Sequence, residues 1–312
     1  TIISNCLTLI GIKARIYLSP AIISFKGYFY RVVQHTSIGR HFYLMQNEQQ
    51  QAYILREVDG IRFAEAGEDS QSTPVLLLHG MMGDISNWES VFEPVSQAGF
   101  RVICPILPVY TLPVRNANLQ GVVDFVERFM SLMGLSKVVL TGNSLGGHVA
   151  ALFAIQHPEK VSGVVLAGAS GIYEVEMSSS IMRRKDREYL RPRVGKTFFN
   201  PVHVTEELLD DVIEIINNRE KAIRLIRFAR SVDKGSVKDD LHRISAPTLL
   251  VWGRQDQITP PDVADTFHAG IPNSELHWVD ECGHVPMIEQ PIAFSGHLID
   301  FLRGLESSST AA

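Results

Sequence analysis

The run VVLTGNSLGGHVAALFA, Val138 to Ala154, constrains the fold of this chain more than any other stretch. Val138 to Thr141 is short, apolar and β-branched-rich, the pattern of a strand buried on both faces. Gly142-Asn143-Ser144-Leu145-Gly146 follows without a spacer, and Val149, Ala150, Leu152, Phe153 and Ala154 then recur at helical spacing. A strand that turns at once into a helix needs residues lacking a Cβ beside its apex, because the two backbones approach closely there. Ser144 occupies that apex in the pattern G-x-S-x-G, which holds a serine Oγ above the end of a sheet in a strained backbone conformation. The Leu145 N–H would open the helix and face the place where negative charge develops during acyl transfer. The same letters also fit a glycine-rich turn whose serine only caps a helix. Its partners elsewhere in the chain decide between the two.

Strands and helices alternate on both sides of this segment. Asp59-Gly60 joins Ala52 to Val58 with Ile61 to Glu65 as a hairpin. Val75 to Leu78 is a continuous apolar run leading straight into His79-Gly80-Met81-Met82-Gly83. A helix is expected from Trp88 to Gln97, a buried strand from Arg101 to Ile106, and an irregular connection where Pro105, Pro108 and Pro113 crowd together. Val122 to Met133 has helical periodicity, and Val161 to Ala167 is a further buried strand. Later come a strand at Thr248 to Trp252, a helix at Pro261 to His268, a strand at Glu275 to Val279 and a closing helix from Gln290 to Leu302. This alternation predicts an α/β fold with a mostly parallel central sheet and helices on both faces. Ligands of such sheets bind outside the carboxyl ends of the strands. Ser144 and the Gly80 to Gly83 loop both lie at such ends.

The alternation breaks over residues 172–238. Arg183, Arg184, Lys185, Arg187, Arg191 and Arg193 stand there against only Asp186 and Glu188. Thr205 is a suitable N-cap for a helix opening at Glu206, and Arg219 to Val232 forms a second, amphipathic helix. Residues 172–238 are therefore expected to be a helical cap inserted over the active end of a core made of residues 45–171 and 239–306. The basic cluster reads as a solvated face, with an anion site as its rival. Residues 307–312 are expected to fray.

Composition bounds the partners. A chain of 312 residues with 45% hydrophobic and 20% charged residues has room for one large domain with an insertion. A net charge of −5 argues against a general nucleic-acid or anionic-membrane binder. Cys6, Cys104 and Cys282 are odd in number and lack metal-ligand spacing, so neither a disulfide framework nor a zinc site is implied. No run is apolar and long enough to span a membrane. Residues 1–44 mix apolar clusters with aromatic and basic residues and make a poor signal peptide, whereas Met45 precedes the polar QNEQQQAY. Residues 1–44 are accordingly expected to be a non-native or upstream-translated extension, with a weakly folded or membrane-associating arm as the alternative. A cytoplasmic location is expected.

A serine hydroxyl is a weak nucleophile at neutral pH and needs a base, itself oriented by a third group. Asp256 follows the Thr248 strand, and His284 follows the Glu275 strand, each in a loop at the sheet's carboxyl end. The order Ser144, Asp256, His284 is the one that a strand–elbow–helix sheet of this kind imposes. Asp280 is too close in sequence to His284 to reach the far side of its ring, and Asp265 lies on a helix. Two backbone donors are needed for the oxyanion, and Leu145 and Met81 are placed to supply them. His79 is expected to brace the loop.

With these residues in place, the chain resembles the α/β-hydrolase-fold serine hydrolases of the capped branch that holds carboxylesterases and the C–C hydrolases of aromatic degradation. The likeness rests on His79-Gly80-Met81-Met82-Gly83, Ser86-Asn87-Trp88, Gly142 to Gly147, Trp252-Gly253-Arg254-Gln255-Asp256, and Gly283-His284 with Glu289-Gln290-Pro291, in the family's order from Ala52 to Leu305. The chain departs from the family at Ile106, where Asp is common, and at Val109, where Gly is usual. It departs again at Val285, where C–C hydrolases often carry Trp. The serine also separates it from relatives whose elbow carries Asp. The resemblance implies hydrolysis of carboxylic esters with small to medium acyl chains, through an acyl-enzyme and without metal or cofactor. The alternatives are a C–C hydrolase of meta-cleavage-type diketones, a cofactor-free haloperoxidase or perhydrolase, and a ligand-binding protein on the same scaffold. The expected partner is a small-molecule ester; the oligomeric state is left open.

Overall fold

The computed structural model describes residues 22–25, 28–37, 40–47, 52–175 and 186–310. The chain divides into two compact units after Ala52, later than the boundary expected before Met45. In the first unit β1 (Ile22–Phe25), β2 (Tyr28–Ser37) and β3 (Arg40–Asn47) pair antiparallel in that order. Met45 is a strand residue opposite Val32 rather than the start of a polar lead. Of residues 1–44, positions 1–21, 26–27 and 38–39 lie outside the described residues.

The second unit is built on an eight-stranded sheet of order β11-β10-β9-β8-β6-β7-β5-β4. Its strands are β4 (Ile54–Val58), β5 (Ile61–Ala66), β6 (Val75–Leu78), β7 (Val102–Pro105), β8 (Val138–Asn143), β9 (Val161–Ala167), β10 (Thr248–Gly253) and β11 (Ser274–Val279). The β4–β5 hairpin turns through Asp59 and Gly60, both at positive φ, and β5 pairs antiparallel with β7. Every other pairing is parallel. Strands β6, β7, β8 and β10 are buried along their whole length, which is why they read as unbroken apolar runs.

Helices cover both faces. They are α1 (Glu89–Gln97), α2 (Leu119–Leu132), α3 (Leu145–Gln156), α4 (Arg187–Val194), α5 (Glu206–Asn217), α6 (Arg219–Lys234), α7 (Pro261–Gly270), α8 (Pro286–Glu289) and α9 (Pro291–Thr310). Asn118 caps α2 by accepting from Gly121 N, and Thr205 caps α5 by accepting from Leu208 N. Helix α3 is buried almost all round, against the sheet and against the helices above it. The closing helix runs through Thr310 instead of fraying from Ser307. The Ser307 and Ser308 hydroxyls bond back to the carbonyls of Arg303 and Gly304, four residues earlier in the same helix.

The chain leaves β6, forms β7 on one side and returns to form β8 on the other. That reversal opens a crevice at the carboxyl ends of β6 and β8. Between β9 and β10 the described residues are helical, with α4, α5 and α6 in sequence. Leu190, Val204, Leu209, Val212 and Ile216 form an apolar cluster there, separate from the core under the sheet. Of the basic cluster, Arg183, Arg184 and Lys185 lie outside the described residues. Arg187 pairs with Glu206 and Asp210, Arg191 pairs with Glu206, and Arg193 lies over the Tyr189 ring. These cations are answered by the chain itself, as a solvated face requires.

Candidate active site

Ser144 has φ 53° and ψ −120°, a conformation that L-residues rarely adopt. The elbow enforces it. A Cβ on Gly146 would overlap the carbonyl oxygen of Leu78, so β6 can lie against the first turn of α3 only if that residue is glycine. Leu145 opens α3, and its N–H has no acceptor within the helix.

The His79 to Gly83 loop at the end of β6 is held by hydrogen bonds that fix a tautomer. Leu107 N–H donates to His79 Nε2 at 2.9 Å, so the ring proton is on Nδ1 and is donated to Gly80 O at 2.8 Å. Burial pushes the His79 pKa down, in keeping with a neutral ring. Tyr110 Oη donates to Met81 O at 3.1 Å and steadies the peptide beside the Met81 N–H. His79 is thus a brace rather than a base.

Asp256 and His284 are brought together as the sequence anticipates. Both side chains are buried, and His284 Nδ1 donates to Asp256 Oδ2 at 2.9 Å. The remaining lone pairs of Asp256 accept from Ile258 N, Thr259 N and Thr259 Oγ1. Burial opposes charge on His284. The charge of Asp256 and its hydrogen bond, with Glu174 and Glu289 adding to them, overcome that and hold the imidazole pKa above its ordinary value. Gly168, at φ +51°, makes room for the pair: a Cβ there would sit 2.6 Å from His284 O and 3.0 Å from His284 Nδ1.

Asn143 and Glu289, to which the sequence alone gives no separate role, tie the loops together. Asn143 Nδ2 donates to Ala167 O at 2.8 Å and to His284 O at 2.9 Å, joining the strand before Ser144 to the histidine loop. Glu289 accepts from Gly283 N at 2.7 Å and from Phe199 N at 2.7 Å, so one carboxylate holds both that loop and the segment before α5. His284 N donates to Thr197 O at 2.8 Å. The Gly283-His284 and Glu289 signal marked this region in sequence, but only the fold reveals what Glu289 spans.

Ser144 and His284 line one cavity of about 630 Å³, with Met81 and Met82 from the β6 loop and with Phe198, Leu208, Val212, Leu225 and Ile226 above. Its wall is mainly apolar. The charged residues on it, among the described residues, are Glu174, Arg230 and Asp233. Burial drives the Glu174 pKa up, reinforced by Asp233 and Asp256, while the Ser170 hydroxyl and His284 act in the opposite direction. Ser170 Oγ itself is buried without a hydrogen bond of normal geometry. Among the described residues no group of three or more His, Cys, Asp or Glu is placed to hold a metal ion, and no helix is long and apolar enough to cross a membrane.

Comparison with known proteins places the chain by sequence and by fold. A profile described as the alpha/beta hydrolase family matches residues 75–296. A 2-hydroxy-6-oxononadienedioate/2-hydroxy-6-oxononatrienedioate hydrolase of Pseudomonas putida is 29% identical over 82% of this chain and 98% of its own. A 2-hydroxy-6-oxo-6-phenylhexa-2,4-dienoate hydrolase of Comamonas testosteroni is 29% identical over 78% of this chain and 91% of its own. Among solved structures, an alpha/beta hydrolase from a lagoon-sediment metagenome superposes with a TM-score of 0.67 at 28% identity, over 81% of this chain and 99% of that one. A meta-cleavage product hydrolase of Pseudomonas fluorescens superposes with a TM-score of 0.69 over 80% of this chain and 97% of that one, and at 22% identity it speaks for the fold alone.

Proposed function

This chain belongs to the alpha/beta hydrolase family, and we propose that it cleaves a carbon–carbon bond next to a ketone by serine hydrolysis, in a substrate of the 2-hydroxy-6-oxo-dienoate type. The hydrolytic part rests on one observation: a serine held at φ 53° on the rim of a cavity that an aspartate-paired histidine also lines. The choice of bond rests on the relatives, whose names specify such dienoates. That reverses the order of preference drawn from sequence, where an ester came first.

In this reading Ser144 Oγ attacks the ketone carbon as His284 Nε2 takes its proton, and the N–H groups of Met81 and Leu145 receive the oxyanion. Asp256 orients the ring and stabilises its charged form. When the tetrahedral adduct collapses in the keto tautomer of the substrate, the electrons of the broken bond pass along the conjugated chain to the 2-oxo oxygen. His284 returns its proton there, and a dienol leaves. Water, deprotonated by His284, then frees the acid from Ser144 and restores the hydroxyl. Helices α4, α5 and α6, between β9 and β10, act as the cap over a core built on the eight-stranded sheet.

A second reading, hydrolysis of an uncharged ester, is favoured by the charges on the wall. Arg230 shares the cavity with Asp233 and Glu174, so among the described residues the lining has no surplus of positive charge for a substrate carboxylate. Val285, where C–C hydrolases often have Trp, points the same way.

One assay separates the readings: turnover of 2-hydroxy-6-oxo-6-phenylhexa-2,4-dienoate beside a p-nitrophenyl ester series, acetyl to dodecanoyl, by the wild type and Ser144→Ala. Dienoate turnover with the higher kcat/KM supports C–C cleavage. Turnover confined to the esters assigns the second reading. Loss of neither activity in Ser144→Ala would refute both.

A further inference from the structure

Asp256 accepts two hydrogen bonds on each carboxylate oxygen. Oδ1 receives Ile258 N at 2.8 Å and Thr259 N at 3.0 Å, while Oδ2 receives His284 Nδ1 at 2.9 Å and Thr259 Oγ1 at 2.9 Å. Thr259 is the residue that bonds both oxygens. Its hydroxyl also lies 3.3 Å from His284 Nδ1, so hydroxyl, carboxylate oxygen and ring nitrogen form one small triangle. The residue is fully buried. Its carbonyl accepts from the indole of Trp252, itself buried on β10, at 2.8 Å. The threonine is therefore pinned through its carbonyl on one side and through its amide and hydroxyl on the other.

A hydroxyl has one proton to give. His284 Nδ1 carries its own proton toward Oδ2, so the threonine proton can be used only at the carboxylate, where the distance is also the shorter. Oδ2 therefore divides its negative charge between two donors. A threonine that merely filled space would need neither the hydroxyl nor the indole anchor.

We infer that Thr259 is a positioning residue of the hydrolytic site, whose hydroxyl fixes Asp256 Oδ2 against the His284 ring and tempers the hold of the aspartate on it. Valine in its place keeps the shape and removes the donor. Oδ2 then has His284 alone to neutralise it, the imidazolium is stabilised more strongly, and the base stays protonated to a higher pH. The other charged groups that act on His284, Glu174 and Glu289, are untouched by the change.

The test uses the full chain with 15N-labelled histidine and follows the ring nitrogens of His284 by NMR through a pH titration, for the wild type, T259V and T259S. The midpoint of His284 in T259V is expected to rise by about half a pH unit or more, while T259S, which keeps the hydroxyl, stays with the wild type. A folded T259V titrating within about 0.2 pH units of the wild type would overturn the inference, as would a T259S that shifts with it. If T259V does not fold, T259A removes the hydroxyl without adding a methyl beside the carboxylate and is read the same way. The inference rests on the serine-hydrolase reading for its meaning but not for its readout. Absence of turnover in the wild type would count against that reading alone, because the titration needs no substrate.

Discussion

His148 makes the stability of this protein fall in acid by a predictable amount. It lies on α3, one turn beyond Ser144, and is fully buried. Its Nε2–H donates to Gly235 O at 2.8 Å, clasping the helix that carries the nucleophile to the residue that ends α6. Nδ1 is buried with no partner, so a second ring proton would have nothing to bond. Burial accordingly pushes the pKa from 6.5 down to about 4, against a small opposing effect of the Gly235 carbonyl. Between those values the unfolded chain binds a proton that the folded chain refuses, so stability declines as pH falls from about 6.5 and levels off below about 4. Each pH unit corresponds to about 1.4 kcal/mol, and the interval of roughly 2.5 units gives about 3 kcal/mol. The assay is urea unfolding of the wild type and His148→Gln across pH 4 to 8. Glutamine costs stability throughout by losing ring packing, but it does not titrate. The gap between the two proteins should therefore close by about 3 kcal/mol on going from pH 7 to pH 4. A gap constant to within about 0.5 kcal/mol would show that His148 is not held neutral by its surroundings.

Two further outcomes follow from the site. Because His284 must be unprotonated to accept the Ser144 proton and its pKa is held above 6.5, kcat/KM should fall on acidification with a midpoint above that value; a flat profile from pH 5 to 8 would remove the histidine from its role. Gly168→Ala would place a methyl 3.0 Å from His284 Nδ1 and 3.2 Å from Asp256 Oδ2 at a strained φ, and should lower kcat by about tenfold or more in a protein that still unfolds cooperatively. A kcat within about twofold of the wild type would mean that the pair tolerates displacement.

The strands and the site were readable because both write short-range signatures. Val75 to Leu78, Val138 to Leu140 and Leu249 to Trp252 are buried on both faces and so are apolar at every position. Ser144 and Asp256 each follow such a strand, and His284 follows the edge strand β11, which is only partly buried but ends at the same side of the sheet. Other features left no comparable trace. The placement of β6 between β8 and β7 is a long-range pairing that apolar runs do not encode. Thr259 is one of many threonines in loops; its hydroxyl acquires meaning only when Asp256 Oδ2 and His284 Nδ1 converge on it. Asn143 reads as part of the elbow, yet its amide spans two loops distant in sequence. Arg187 and Arg191 read as part of a bare basic patch because Glu206 and Asp210, which neutralise them, come from the next helix. Residues 307–310 look like a polar tail, yet they continue the helix that opens at Pro291, because serine and threonine do not by themselves stop a helix already formed.

The central claim is that Ser144 is an activated nucleophile, and it can be tested without knowing the substrate. A fluorophosphonate ester reacts with a serine whose proton a neighbouring base removes and whose oxyanion site is formed. Intact-mass and peptide analysis after labelling should find a single adduct on the peptide containing Ser144 in the wild type, and none in Ser144→Ala. A folded wild type that stays unlabelled, or an adduct that persists in Ser144→Ala, would contradict the account.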